Sequence, residues 1–167
     1  LHLACRYGGH YSYNIIYFLV RLWPVSLRRT VSLSRSKREM LPLHIACEYG
    51  PMPLKVIRLL VVEYPESVRT PNGHGDLPLH IVCKGYNISL KVVVSLVNAF
   101  PDAVKTVNKN GELPLHIVCG RSSRESPKVI KFLLNLYSES IETANFKGEL
   151  PLHYACNGYQ PLETIHF

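Results

Sequence analysis

The chain has 167 residues, about one domain, and its 47% hydrophobic and 19% charged residues support a packed core and argue against disorder. No run approaches the roughly 18 uninterrupted apolar residues of a membrane-spanning helix; the richest, Ile15 to Val20, lies between Asn14 and Arg21. The formal net charge of +7 raises nucleic acid as a partner, but Arg28, Arg29, Arg35, Lys37 and Arg38 crowd into eleven residues without an acid, which assigns most of the excess to one local segment.

The chain opens on Leu1-His2-Leu3-Ala4-Cys5, and the string returns in longer form at 41–47 (LPLHIAC), 77–83 (LPLHIVC), 113–119 (LPLHIVC) and 150–156 (LPLHYAC). Measured on the motif histidines, the steps are 42, 36, 36 and 37 residues. A fixed period of this size denotes stacked supersecondary units, expected at about 1–37, 38–73, 74–109, 110–146 and a partial 147–167. The chain begins inside a copy, so a longer parent protein is expected.

Each unit reads the same way. A short helix opens at the motif, because proline is favoured at the first helical position, where its missing N–H leaves nothing unpaired. A polar break follows, and then a second, apolar helix. In the first unit Ile15, Ile16, Leu19 and Val20 form its stripe and Trp23-Pro24 closes it; Val56, Ile57, Leu59 and Leu60 lead to Tyr64-Pro65. Val92, Val93, Leu96 and Val97 lead to Phe100-Pro101, and Val129, Ile130, Leu133 and Leu134 to Tyr137-Ser138. The closing aromatics are expected to seal the stack. An extended piece and a turn come next, in the pattern apolar-x-Thr-x-Asn-x-x-Gly at 68–75, 104–111 and 141–148. Asn at the first and Gly at the fourth position is a type I turn signature. The first finger is five residues longer, and the excess lies among the basic residues 28–38.

The segment Gly75-Asp76-Leu77-Pro78-Leu79-His80-Ile81-Val82-Cys83, with Asn-x-x-Gly before it, resembles the ankyrin repeat over the whole chain. That resemblance implies an all-α solenoid of helix-turn-helix units with protruding hairpin-like fingers. It implies a non-enzymatic module for protein–protein interaction or scaffolding, with no cofactor and no small-molecule substrate. Leu41, Leu77, Leu113 and Leu150 stand where the family has a capping threonine, whose loss typically costs ~1 kcal/mol. Either burial of the leucine compensates or Asp76, Glu112 and Glu149 help at the helix N-terminus. Glu39 stands where the second unit would have its glycine.

His44 with Cys47, His80 with Cys83, His116 with Cys119 and His153 with Cys156 lie three residues apart on one helical face, as a metal pair or nucleophilic dyad would. An active site is made once, whereas a structural joint is made in every unit. These residues are therefore read as a histidine bridge between backbone segments and a small core filler, with neither a metal site nor a catalytic residue. Helices packed 8–10 Å apart keep equivalent cysteines beyond disulfide reach. Reduced thiols in every unit imply an intracellular protein, cytoplasmic or nuclear.

Recognition is expected from positions that differ between copies. These are His74, Asp76, Lys109, Asn110, Glu112, Phe146, Lys147 and Glu149 in the fingers, and Glu48, Tyr49, Lys84, Arg121 and Asn157 at the first helices, with Arg6 and Tyr7 in the first unit. Phe146 and Tyr49 are candidate aromatic anchors. Two other readings stand beside this one. The chain is the regulatory or targeting part of a larger enzyme or channel, or the basic insert 28–38 binds an anionic partner. Ser32, three residues after Arg29, suits a basophilic kinase as a regulatory phosphosite. The insert interleaves no aromatic residue with its bases, which speaks against stacking on single-stranded nucleic acid.

Overall fold

A computed structural model describes residues 1–7, 12–32, 39–49 and 53–158. Helices α1 (His2–Tyr7) and α2 (Ser12–Leu22) make the first unit, α3 (Pro42–Glu48) and α4 (Leu54–Glu63) the second, and α5 (Pro78–Lys84) and α6 (Leu90–Ala99) the third. Helices α7 (Pro114–Cys119) and α8 (Ser126–Leu136) make the fourth, and α9 (Pro151–Asn157) opens a fifth. First helices pack in the order α1, α3, α5, α7, α9, and second helices in the order α2, α4, α6, α8. The result is two parallel rows, with the core running between them as one continuous cluster from Cys5 to Ala155.

The missing threonine cap has a definite replacement. Leu41, Leu77 and Leu113 are buried. Leucine has no acceptor, so the cap runs in reverse: the backbone N–H of Leu41, Leu77, Leu113 and Leu150 donates to Nδ1 of the histidine three residues on, at 3.0, 3.2, 3.1 and 2.9 Å. Burying a leucine side chain is worth about 1.5–3 kcal/mol, which exceeds the ~1 kcal/mol lost with the cap. Of the two compensations expected, burial of the leucine is the one the inner units display.

An element that the sequence does not announce precedes the expected extended piece. Each second helix stops at an aromatic residue and the chain makes one turn of 3-10 helix, at Pro24–Leu27, Pro65–Val68, Pro101–Val104 and Ser138–Ile141. Three of these start on proline, which supplies the φ that such a turn needs. The hydroxyls of Ser26 and Ser67 donate back to the aromatic residue's carbonyl at 2.7 and 2.6 Å and tighten the turn. Strand pairing among the described residues is confined to the first finger, where β1 (Val31–Ser32) pairs antiparallel with β2 (Glu39–Met40). Residues 33–38, with Arg35, Lys37 and Arg38, lie outside the described set, as does the side chain of Ser32.

The aromatic closures do more than seal. Tyr64, Phe100 and Tyr137 are half-buried, and each ring carries a cation from the preceding unit: Arg28 at 5.6 Å, Arg69 at 5.3 Å and Lys105 at 5.4 Å from the ring centre. Trp23, at the outer end, is exposed and seals nothing. Ile15 likewise departs from the expected stripe: it is 55% exposed, while its counterparts Val56, Val92 and Val129 are buried. Among the described residues no helix packs on the outer side of α1 and α2, so the position has nothing to bury against.

Candidate functional site: finger row and inter-unit cleft

The finger loops are built identically. Asn72 Oδ1 accepts from the backbone N–H of His74 and Asp76, Asn108 Oδ1 from Asn110 and Glu112, and Asn145 Oδ1 from Lys147 and Glu149, all at 2.9–3.0 Å. Gly75, Gly111 and Gly148 close the turns at φ near +78°. For the first two, glycine is also required by space. A Cβ on Gly75 would lie 2.7 Å from the Lys109 nitrogen, and one on Gly111 would lie 2.6 Å from that of Phe146. The fingers approach so closely because their tips are bonded in series: Lys109 N–H donates to the His74 carbonyl and Phe146 N–H to the Asn110 carbonyl, at 3.2 and 3.0 Å.

Beneath the tips runs a polar chain. Lys84 Nζ meets Asp76 Oδ2 at 2.6 Å, and Asn108 Nδ2 donates to Asp76 Oδ1 and to Glu112 Oε2. Tyr154 donates its hydroxyl proton to Glu112 Oε1 at 2.7 Å, and Asn145 Nδ2 bonds both Tyr154 and Glu149. Burial opposes the charge on Glu112, but the bonds from Asn108, Tyr154 and Asn110, with the nearby Lys84 charge, outweigh it and hold the carboxyl below its usual range. Burial, with the bond to Glu112, pushes the Tyr154 phenol up.

This chain changes the standing of the predicted finger residues. Asp76, expected at an exposed finger position, is 3% exposed. Its short side chain sits directly before α5 and is folded under the next finger, so it is a structural ion pair and no tip contact. Glu112 and Glu149 are half-buried and engaged in the same way. His74, Lys109, Asn110, Phe146 and Lys147 stand outward, Phe146 at 76% exposure. At the first helices, Tyr49 lies under the Arg6 guanidinium, 4.8 Å from its ring centre; Tyr7 and Asn157 are exposed. Glu48, Lys84 and Arg121 are half-buried and line a cleft of about 530 Å³ between the second and third units, whose rim carries His74 and Tyr86. Tyr86, exposed and stacked under Arg121 at 5.7 Å, was missed in the sequence, as was Tyr154. Tyr154 alone has a visible signal, because it replaces the isoleucine of the other long motif copies.

The repeated motif forms the joint below the site. His44, His80 and His116 are buried; with Nδ1 accepting from leucine, Nε2 carries the proton and donates to the carbonyls of Thr70, Glu112 and Glu149 at 2.9, 3.2 and 3.2 Å. Burial lowers all three, His44 and His80 to about 4. Cys47, Cys83 and Cys119 are buried free thiols raised by burial, the last two to about 12, a protonation state that suits core filling and not nucleophilic attack. Cys156 is free and exposed.

Residues 79–166, just over half of the chain, match the family of ankyrin repeats in three copies. With the paired helices, the finger turns and the histidine joints, the chain belongs to the ankyrin-repeat family. Repeats of this family generally mediate protein–protein interaction and are typically non-catalytic. No curated protein matches the chain. No helix among the described residues is long and apolar enough to cross a membrane.

Proposed function

We propose that this chain is a protein-recognition module whose partner lies along the finger tips and enters the cleft between the second and third units. The observation that carries this reading is the bonding of the fingers in series. Tip-to-tip backbone bonds and the buried polar chain hold His74, Lys109, Asn110, Phe146 and Lys147 in one row before any partner arrives. Binding to a preordered row loses little conformational freedom, which leaves more of the contact energy as affinity. Phe146 is the anchor, a large exposed ring on a rigid turn, and Tyr49, Glu48, Lys84 and Arg121 extend the surface down the first helices. Asp76, Glu112 and Glu149 act beneath the surface by setting finger spacing. The reduced, buried cysteines support an intracellular setting.

The test is a capture experiment with the native chain and the variant Phe146→Ala/Lys109→Glu/Lys147→Glu. A discrete set of proteins retained by the native chain and lost from the variant, with the helical circular dichroism unchanged, is the expected result. An unchanged set would remove the finger row from the binding surface.

A further inference from the structure

Placing the charges on the fold gives a different map from the sequence. The segments that join first to second helices, at 6–14, 48–55, 84–91 and 120–128, hold seven described cations: Arg6, Lys55, Lys84, Lys91, Arg121, Arg124 and Lys128. They hold two acids, Glu48 and Glu125. The rest of the described chain has nine cations and nine acids. Lys84 is paired with Asp76 beneath the fingers, but even without it the positive excess of the described fold gathers in these connecting segments and is not confined to the insert 28–38.

Three of these cations are copies of one position. Lys55, Lys91 and Lys128 each stand one residue before the first buried valine of the second helix, Val56, Val92 and Val129. All three are exposed, and none forms an ion pair with a carboxylate among the described residues. A first-turn lysine opposes the helix dipole, and none of α4, α6 and α8 has an acid in its first turn to balance it. Helix stability alone favours the opposite arrangement. Glu125 is spent on a neighbour, since its Oε2 accepts the Leu90 N–H at 2.8 Å and ties the third unit to the fourth. Rings lie among the cations: Lys55 sits 4.6 Å from the centre of Tyr13 and Arg121 covers Tyr86.

We propose that this edge docks an extended acidic polypeptide segment, one carboxylate per lysine step. The spacing supports the choice. Helices of successive units stand about 8–10 Å apart, and three residues of a polyproline-II strand advance about 9.3 Å. An acid at every third residue thus meets Lys55, Lys91 and Lys128 in turn, while the residues between pass the rims of Tyr13 and Tyr86. A nucleic-acid backbone fits less well, because duplex DNA places a charge about every 1.7 Å and single lysines at wide steps leave most of them unmatched. A membrane surface needs apolar side chains to insert, and Tyr13 and Tyr86 lie under cations. The edge shares Arg121 and Tyr86 with the cleft of the proposed function, but Lys55, Lys91 and Lys128 belong to neither the cleft nor the finger row, so substitutions there test the edge alone.

The test is fluorescence anisotropy of the chain with a labelled peptide of about 12 residues, glutamate at every third position and proline or alanine between, against an isomer with its glutamates clustered. The expected result is salt-sensitive binding of the periodic peptide, weakened ~10-fold or more in K55E/K91E/K128E and unchanged in K109E/K147E. Lys55→Gln/Lys91→Gln/Lys128→Gln, which avoids like-charge crowding, should weaken it in the same direction. Equal binding by the native chain and both lysine variants would overturn the proposal, as would equal binding of the clustered isomer. Tighter lysine-dependent binding of a single-stranded oligonucleotide or of anionic vesicles would overturn the choice of partner.

Discussion

The third unit and the ends of the stack carry the same motif with opposite outcomes. Leu79 and Ile81 in α5 are 1% and 4% exposed; Leu152, the counterpart of Leu79 in α9, is 55% exposed, and Leu3, the counterpart of Ile81 in α1, is 68% exposed. Leu79 and its equivalents face the following unit, and Ile81 and its equivalents the preceding one. His80 is sealed between its own cap and the Glu112 carbonyl, whereas His153, with the same cap bond, is exposed. The motif does not bury itself. Burial is conferred by neighbours, and stability therefore resides in interfaces between units more than in any single unit.

That contrast can be broken by substitution. Leu79→Ala should cost about 3–4 kcal/mol by urea denaturation, from lost transfer energy and the cavity left, against under ~1 kcal/mol for Leu152→Ala. Equal losses would mean that the end is as tightly packed as the middle.

Acid should act next most strongly, and on the inner joints. The folded pKa values of His44 and His80 lie below the unfolded 6.5, so the unfolded chain binds more protons as pH falls. Their contribution is complete above pH 6.5 and is lost progressively as pH falls toward about 4, on the order of 3 kcal/mol per histidine. Urea midpoints measured across that range should fall steadily. Flat midpoints would contradict the buried neutral state.

The fingers repeat the comparison on a smaller scale. Gly75→Ala meets both a positive φ and the next finger, and should cost about 2–3 kcal/mol. Gly148→Ala, at the same φ with nothing within 4 Å of the added Cβ, should cost about 1 kcal/mol. Matching values would show that finger contact is not what demands glycine. The smallest effect is on reactivity. Brief iodoacetamide treatment with mass spectrometry should modify Cys156 before Cys47, Cys83 or Cys119, whose burial keeps the thiol protonated.

Most of the fold was legible because one local pattern recurs and its period leaves a single architecture. The helix pairs, their proline starts and the Asn-x-x-Gly turns follow from residues that act within one or two turns of themselves. The 3-10 turns escape because each is four residues long, too short to show a period, and the proline that opens three of them reads simply as the end of the preceding helix. Asp76 reads as a surface position because its burial depends on Lys84 and on Asn108, 32 residues away. The basic edge escaped for a related reason. Its lysines are spread through the chain at wide intervals and gather only when the units stack, whereas the insert 28–38 is dense in sequence and draws the eye first.

The claim that organises all of this is that the repeated histidines are neutral joints and not chemical groups. The direct measurement is a pH series of long-range 15N–1H spectra of the imidazole rings. His44, His80 and His116 should appear as the Nε2–H tautomer, and His44 and His80 should remain neutral at pH 5.5, below the ordinary histidine pKa of 6.5. An Nδ1–H ring, or a His44 or His80 ring already cationic at that pH in the folded chain, would contradict it.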